Sequence, residues 1–277
     1  MINNEITPGS SEASPTDGEM LNLGLMIESM RSGRLEVVKD GTPLEIGEIL
    51  GEGGSKTVRS TSLNNESLAI ALPNTTDDEA KVFKKWEIVL KEPASTDKIR
   101  AMGVPVNPMC ETTTVEVNGV PFKALLMKPY TETGFEVRDS KNRRSSVIET
   151  DLLPKAFGTD NVDEVLSDVL DDVATLINNG VTLGRDSFNI CKKDGKLRLY
   201  LNDLGTAGFG GIPNESQRQY IESYVANALD SVGNGVNEEE WMAHKEVLES
   251  DDISSFHKGA IFSRLVEAVQ SRLNVPT

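Results

Sequence analysis

Twelve residues near the start of the chain carry the first chemical signal: Gly47-Glu-Ile-Leu-Gly51-Glu-Gly53-Gly54-Ser55-Lys56-Thr-Val58. Glycines lack a Cβ, so backbone amides there can close on a phosphate, and Lys56 adds a cation at the same place. A second signal lies some 130 residues on, in Gly184-Arg185-Asp186-Ser187-Phe188-Asn189 followed by Asn202-Asp203-Leu204-Gly205. Asn189 and Asp203 are separated by one hairpin's length of chain, which brings two oxygen donors to one divalent cation. Mg²⁺ takes few protein oxygens and completes its shell with phosphate and water. Asp186 is the only carboxylate between Asp172 and Asp194, and is the candidate general base. His244 and His257 are the only histidines and sit late in the chain, with no nucleophile motif beside them. A His-based metal site or a Ser-His-Asp triad is therefore not expected. Cys110 and Cys191 form neither a disulfide framework nor a metal-spacing cluster and read as reduced, buried thiols.

In this order the two signals resemble a protein kinase. Gly51, Gly53 and Val58 fit the kinase loop G-x-G-x-x-G-x-V, with Lys56 at the third glycine position. The following strand reads Ala69-Ile70-Ala71-Leu72 where V-A-I-K is the kinase pattern, so Leu72 occupies the place of the phosphate-pairing lysine. The two departures compensate one another, and the arrangement resembles the with-no-lysine kinases, whose lysine follows the glycine-rich loop. The resemblance implies ATP and Mg²⁺ as cofactors, with Gly51, Gly53, Gly54, Ser55, Lys56 and Val58 at the nucleotide, and Asn189 and Asp203 at the metal. It also implies a carboxylate partner for Lys56 in the next helix. Glu87 is the first choice, because Trp86, Ile88, Val89 and Leu90 surround it with apolar side chains; Glu79 is the alternative. Lys56, Glu87 and Asp186 form the expected catalytic set. Asp186 stands three residues before Asn189 where the family has five, so it is either the base on a shortened loop or the occupant of the loop-lysine position.

Between these segments, Ala124-Leu-Leu-Met127-Lys128-Pro129-Tyr130 resembles a last strand running into a hinge. Met127, Lys128 and Pro129 would meet the adenine edge, with Ala69, Val58 and the Leu204 neighbourhood as apolar walls. After Asp203 the chain enters a helix within a dozen residues, with no A-P-E and no room for a long activation loop. That resembles small kinases delivered by pathogenic bacteria, and implies constitutive activity or activation by a partner.

The elements that must position these residues change character midway. Asp40-Gly41, Asn64-Asn65 and Asn118-Gly119 each separate apolar runs and predict three hairpins. Met20–Met30 reads as a short helix. Asp77–Glu92 has a helical period and ends at Pro93. Later, Val162–Asn178 is a helix closed by Gly180, Ile190–Cys191 and Leu197–Leu201 form a small hairpin, and 214–232, 238–248 and 256–273 are helices. The fold class expected is α+β, a bilobal kinase-like fold. Residues 1–19 form a polar tail that suits a secretion signal, 20–129 a β-rich lobe with one main helix, and 130–277 a reduced helical lobe.

Composition sets the outer bounds. The 277 residues hold 28 Lys plus Arg against 44 Asp plus Glu, a net charge of −16, which disfavours nonspecific binding to nucleic acid or anionic lipid. No window reaches the ~18 consecutive apolar residues of a spanning helix. The chain does not open with the basic start and apolar run of a secretory signal. The function expected is an ATP-dependent Ser/Thr protein kinase, a bacterial effector carried by a type III or type IV system into host cytoplasm. It would act there as a monomer on a host protein, a heat-shock chaperone being one candidate. The alternatives are a kinase-fold binding module without transfer activity and a small-molecule phosphotransferase. Lys141-Asn-Arg143-Arg144-Ser145-Ser146 is a basic segment that offers an autophosphorylation or docking site.

Overall fold

The computed structural model describes residues 17–33, 35–129, 162–193, 195–233 and 260–273. The basic segment at 141–147, the helix expected over 238–248 and all but the last residues of the polar tail lie outside them. The structure is mixed α+β, with a β-rich N-terminal part and helices later.

Helix α1 (Asp17–Arg31) starts within what reads as tail and runs past both expected ends. Six antiparallel strands follow: β1 (Val37–Lys39), β2 (Thr42–Glu52), β3 (Lys56–Leu63), β4 (Glu66–Pro73), β5 (Cys110–Val117) and β6 (Val120–Met127). They are ordered β1-β2-β3-β4-β6-β5, and β1 pairs back onto β5 through Val37 and Val117, which closes the sheet into a barrel. The three predicted turns are where the sequence puts them. Asp40, Asn64, Asn65 and Asn118 all have positive φ, a conformation that Asn and Asp tolerate better than other side chains.

Strand alternation sorts the barrel residues onto two faces. Leu68, Ile70, Leu72 and Leu126 pack with Met26 and Ile27 of α1. Ala69, Ala71, Leu125 and Met127 pack with Trp86, Val89 and Val58 on the other face. The β3–β4 register pairs Lys56 with Pro73, Thr57 with Leu72 and Val58 with Ala71. Lys56 therefore shares its face with Ala71, and Leu72 points the opposite way into the apolar cluster at 1% exposure. Leu72 therefore does not share the face of Lys56, and Ala71 does, because a one-residue change of register exchanges the two faces.

The single helix expected over 77–92 is two. Helix α2 (Glu79–Val89) is capped by the Asp78 side chain, which accepts from the Lys81 amide, and stops at Leu90. Helix α3 (Glu92–Ala101) starts at once, with Pro93 in its first turn. Pro93 opens a helix rather than ending one. It lacks only an N–H that would be unpaired at that position in any case.

Beyond α3 the chain contributes Val104 and Val106 to a second core, built from α4 (Val162–Val165), α5 (Ser167–Asn178), the hairpin β7 (Phe188–Lys193) with β8 (Lys196–Leu201), α6 (Gln217–Gly233) and α7 (Ala260–Leu273). Helix α5 is tied to the hairpin by Asp172. This buried carboxylate accepts from Arg198 Nε at 2.9 Å, Arg198 Nη2 at 2.6 Å and the Leu199 amide at 3.1 Å. Among the described residues no helix is long and apolar enough to cross a membrane.

Candidate functional site

Lys56 opens β3 directly after the glycine-rich loop, and its ammonium joins the two halves of the structure. Nζ lies 2.5 Å from Glu92 Oε2 and 2.6 Å from Asp203 Oδ1. The lysine is 13% exposed, Glu92 9% and Asp203 52%. Burial opposes the charge on Lys56, but the carboxylates of Glu92 and Asp203 outweigh it and hold the ammonium above its ordinary range. Lys56 is thus a fixed cation at the base of the loop, with half of the Asp203 carboxylate open to solvent.

The carboxylate that holds Lys56 is Glu92, not Glu87 or Glu79. Glu87 is exposed in the last turns of α2 and makes no ion pair among the described residues. Glu79 is exposed at the start of α2, where its carboxylate lies against Gly24 of α1. Glu92 opens α3 directly after α2 stops at Leu90, and it is buried there. Its place at the helix start also puts the carboxylate where the helix dipole favours negative charge. The missed signal is the Glu92-Pro93 pair, which marks a helix start as readily as a helix end.

Asp203 follows β8 with φ 51° and ψ 47°, left-handed values that strain a residue with a Cβ and that cluster at functional sites. Its neighbours hold it. The Asn202 amide donates to Ser187 O at 3.1 Å, and Ser187 Oγ donates to Asp203 O at 3.4 Å. Asn189 Nδ2 donates to Asn202 Oδ1 at 2.8 Å. Asn189 is therefore next to the residue that precedes Asp203, with its own amide oxygen uncommitted among the described bonds. A set of Asn and Asp oxygens fits a hard cation that keeps phosphate and water as its other ligands, and does not fit a site made wholly of protein groups. Among the described residues no cluster of three or more His, Cys, Asp or Glu could hold a metal alone.

Asp186 sits in a single 3₁₀ turn, Arg185–Ser187, with its side chain exposed. It makes no ion pair or hydrogen bond among the described residues, but its neighbour Ser187 bonds to both Asn202 and Asp203. The segment before it is anchored by Tyr224, whose hydroxyl donates to Val181 O at 2.7 Å and accepts from the Leu183 amide at 2.9 Å. Burial raises the Tyr224 phenol well above its ordinary range, so it stays a neutral donor.

The chain after Asp203 is short and pinned. Thr182 and Gly208 exchange backbone bonds at 2.8 and 2.9 Å, and the Gly211 amide donates to Gly180 O at 3.2 Å. A Cβ on Gly180 would fall 2.4 Å from Gly211 Cα, and one on Gly205 would fall 2.3 Å from the Ile88 carbonyl oxygen. Lys98 of α3 lies over the Phe209 ring at 4.5 Å. The helix that carries Glu92 and the segment that follows Asp203 are thus packed as one unit.

The residues expected to meet a nucleotide base fall in two apolar clusters. Val58, Ala69 and Met127 meet in one apolar cluster, while Leu204 is buried in the other core. The Lys128 amide donates to Met109 O at 3.1 Å and Asn107 Oδ1 at 3.3 Å, and its carbonyl accepts from Asn107 Nδ2 at 2.9 Å. Pro129 has no donor. An adenine edge reading Lys128 directly must therefore displace Asn107 and Met109.

No family model and no curated protein matches this chain. Among solved structures, WaaP in complex with acyl carrier protein is similar over 89% of this chain and 90% of that one, at 10% identity and a TM-score of 0.37. A likeness that distant leaves the chemistry to the residues described above.

Proposed function

We propose that this protein is a kinase-like phosphotransferase that uses MgATP and holds the nucleotide phosphates with Lys56. The observation that carries the reading is the Lys56 ammonium held between Glu92 and Asp203 directly after a glycine-rich loop. An ammonium fixed before substrate arrives needs no reorganisation as phosphate charge moves, which is the main catalytic resource in phosphoryl transfer. Asn189 and Asp203 are the residues that would hold the metal, which neutralises charge on the phosphates when bound. The acceptor hydroxyl oxygen forms a bond to the γ-phosphorus, the β–γ bridging bond breaks, and ADP leaves with that electron pair. Asp186 takes the hydroxyl proton; its exposed carboxylate on the loop tied to Asp203 is available to an incoming substrate. The apolar patch of Val58, Ala69 and Met127 supplies one wall for the base.

The short segment after Asp203, bridged to Thr182, favours a protein that needs no phosphorylation of its own for activity. We take the acceptor to be a Ser or Thr hydroxyl of a host protein, a heat-shock chaperone among the candidates. The polar N-terminal residues serve as a type III or type IV secretion signal, and the lobes divide at residues 129 and 130. Incubation with γ-labelled ATP, Mg²⁺ and host lysate, beside an Asp203→Ala control, tests this. Labelled protein bands that vanish with Asp203→Ala support the protein-kinase reading. Label found only on small molecules favours a metabolite or drug kinase, and ATP binding without any transfer favours a binding module.

A further inference from the structure

The carbonyl groups of Gly53, Gly54 and Ser55 are all taken by groups outside the loop. Asn74 Nδ2 donates to Gly53 O at 2.8 Å, Lys85 Nζ donates to Gly54 O at 2.8 Å, and the Asn74 amide donates to Ser55 O at 3.2 Å. Every described peptide bond is trans, so each N–H points opposite to the carbonyl of the residue before it. Capture of the Gly53 and Gly54 carbonyls therefore turns the amides of Gly54 and Ser55 away from Asn74 Nδ2 and Lys85 Nζ. Those of Gly54 and Ser55 make no hydrogen bond among the described residues. Successive amides without a partner in the protein are donors that an anion can take.

The clamp is itself braced. Lys85 Nζ is held by Asp77 Oδ2 at 2.5 Å, Asn74 Oδ1 accepts from the Thr76 amide at 3.0 Å, and Arg31 at the end of α1 donates to the carbonyls of Thr75 and Asp77. The geometry points to Asn74 and Lys85 as positioning residues that pre-set the glycine loop for the phosphates of a nucleoside triphosphate. This inference rests on the nucleotide reading above and adds two residues that touch neither base nor metal in it.

Two variants isolate the clamp. Asn74→Asp keeps the acceptor for Thr76 and removes the donor to Gly53 O. Lys85→Met removes the bond to Gly54 O, and Lys85→Arg keeps a donor there. Amide hydrogen exchange of the nucleotide-free protein should quicken over residues 51–56 in Asn74→Asp and Lys85→Met. Each should weaken MgATP binding about tenfold, as loss of one charge-assisted or amide hydrogen bond does. Adenosine, which has no phosphate, should bind all variants like the wild type, and Lys85→Arg should recover ATP affinity. Unchanged exchange, or equal losses for ATP and adenosine, overturns the inference while leaving the nucleotide reading in place. A wild type that binds neither ATP nor adenosine overturns both.

Discussion

Gly205→Ala is the most informative single substitution outside the charged groups. The added Cβ would lie 2.3 Å from Ile88 O, 2.9 Å from Ile88 C and 3.2 Å from Ile88 Cγ2. The first two contacts are with backbone, which cannot rotate away. Ile88 O also accepts from the Lys91 amide at 3.1 Å, so this carbonyl is part of the junction that turns α2 into α3. Relief of the clash requires about 1 Å of separation between the Asp203–Gly205 segment and that junction. Glu92 is on one side of the gap and Asp203 on the other, and Lys56 spans both at 2.5 and 2.6 Å. A 1 Å shift therefore stretches one of the two contacts to about 3.5 Å, the limit of a hydrogen bond. Overpacking of this kind costs about 1–3 kcal/mol, roughly 2–10 °C in Tm for a chain of this size. A misplacement of that size at a reacting centre lowers rate by ~10². Thermal melting and labelled-ATP transfer read the two effects. Wild-type melting together with wild-type transfer in Gly205→Ala would refute the argument that this close approach sets the Glu92–Lys56–Asp203 geometry.

Three further outcomes follow from particular contacts. In a Lys56→Gly background, Ala71→Lys should restore part of the transfer activity, because Ala71 shares the face of Lys56, whereas Leu72→Lys should restore none and should lower Tm by burying an unpaired ammonium. Asp172→Asn should lower stability by ~3 kcal/mol, since it leaves Arg198 without its carboxylate in the wall of the second core; chemical denaturation measures this. Burial, with the Glu92 charge adding to it, pushes the Cys110 thiol up to about 12 from 9.0. The unfolded thiol then ionises while the folded one does not, so stability falls as pH rises through 9. The loss is about 1.4 kcal/mol between pH 8 and 10, and denaturation of Cys110→Ala at both pH values should show it missing.

The hairpins could be read from sequence because their turns are local. Asp40-Gly41, Asn64-Asn65 and Asn118-Gly119 carry the residues that a positive φ demands, and nothing distant alters that requirement. Lys56, Asn189 and Asp203 could be singled out for a related reason. Each belongs to a short motif, and one hairpin separates the last two. Glu92 was hidden by a local ambiguity, since Pro93 is compatible with either a helix end or a helix start. The helix start is the one that forms, and it places Ile99 in the second core. That Ala71 and not Leu72 shares the face of Lys56 is a matter of one residue of register, invisible until β3 and β4 are paired. The clamp formed by Asn74 and Lys85 has no sequence signature, because it depends on where α2 lies over the loop.

The central claim is that Lys56, oriented by Glu92, holds the phosphates. The direct test is the initial rate of labelled phosphoryl transfer for Lys56→Met, Glu92→Gln and Glu87→Gln, beside the wild type and with melting curves for all four. The structure predicts losses of ~10²–10³ for Lys56→Met, the usual scale for removing a charge stabiliser. It predicts a clear loss for Glu92→Gln and wild-type rates for Glu87→Gln. Near-full transfer by a folded Lys56→Met protein, or a loss at Glu87 with none at Glu92, would contradict the assignment.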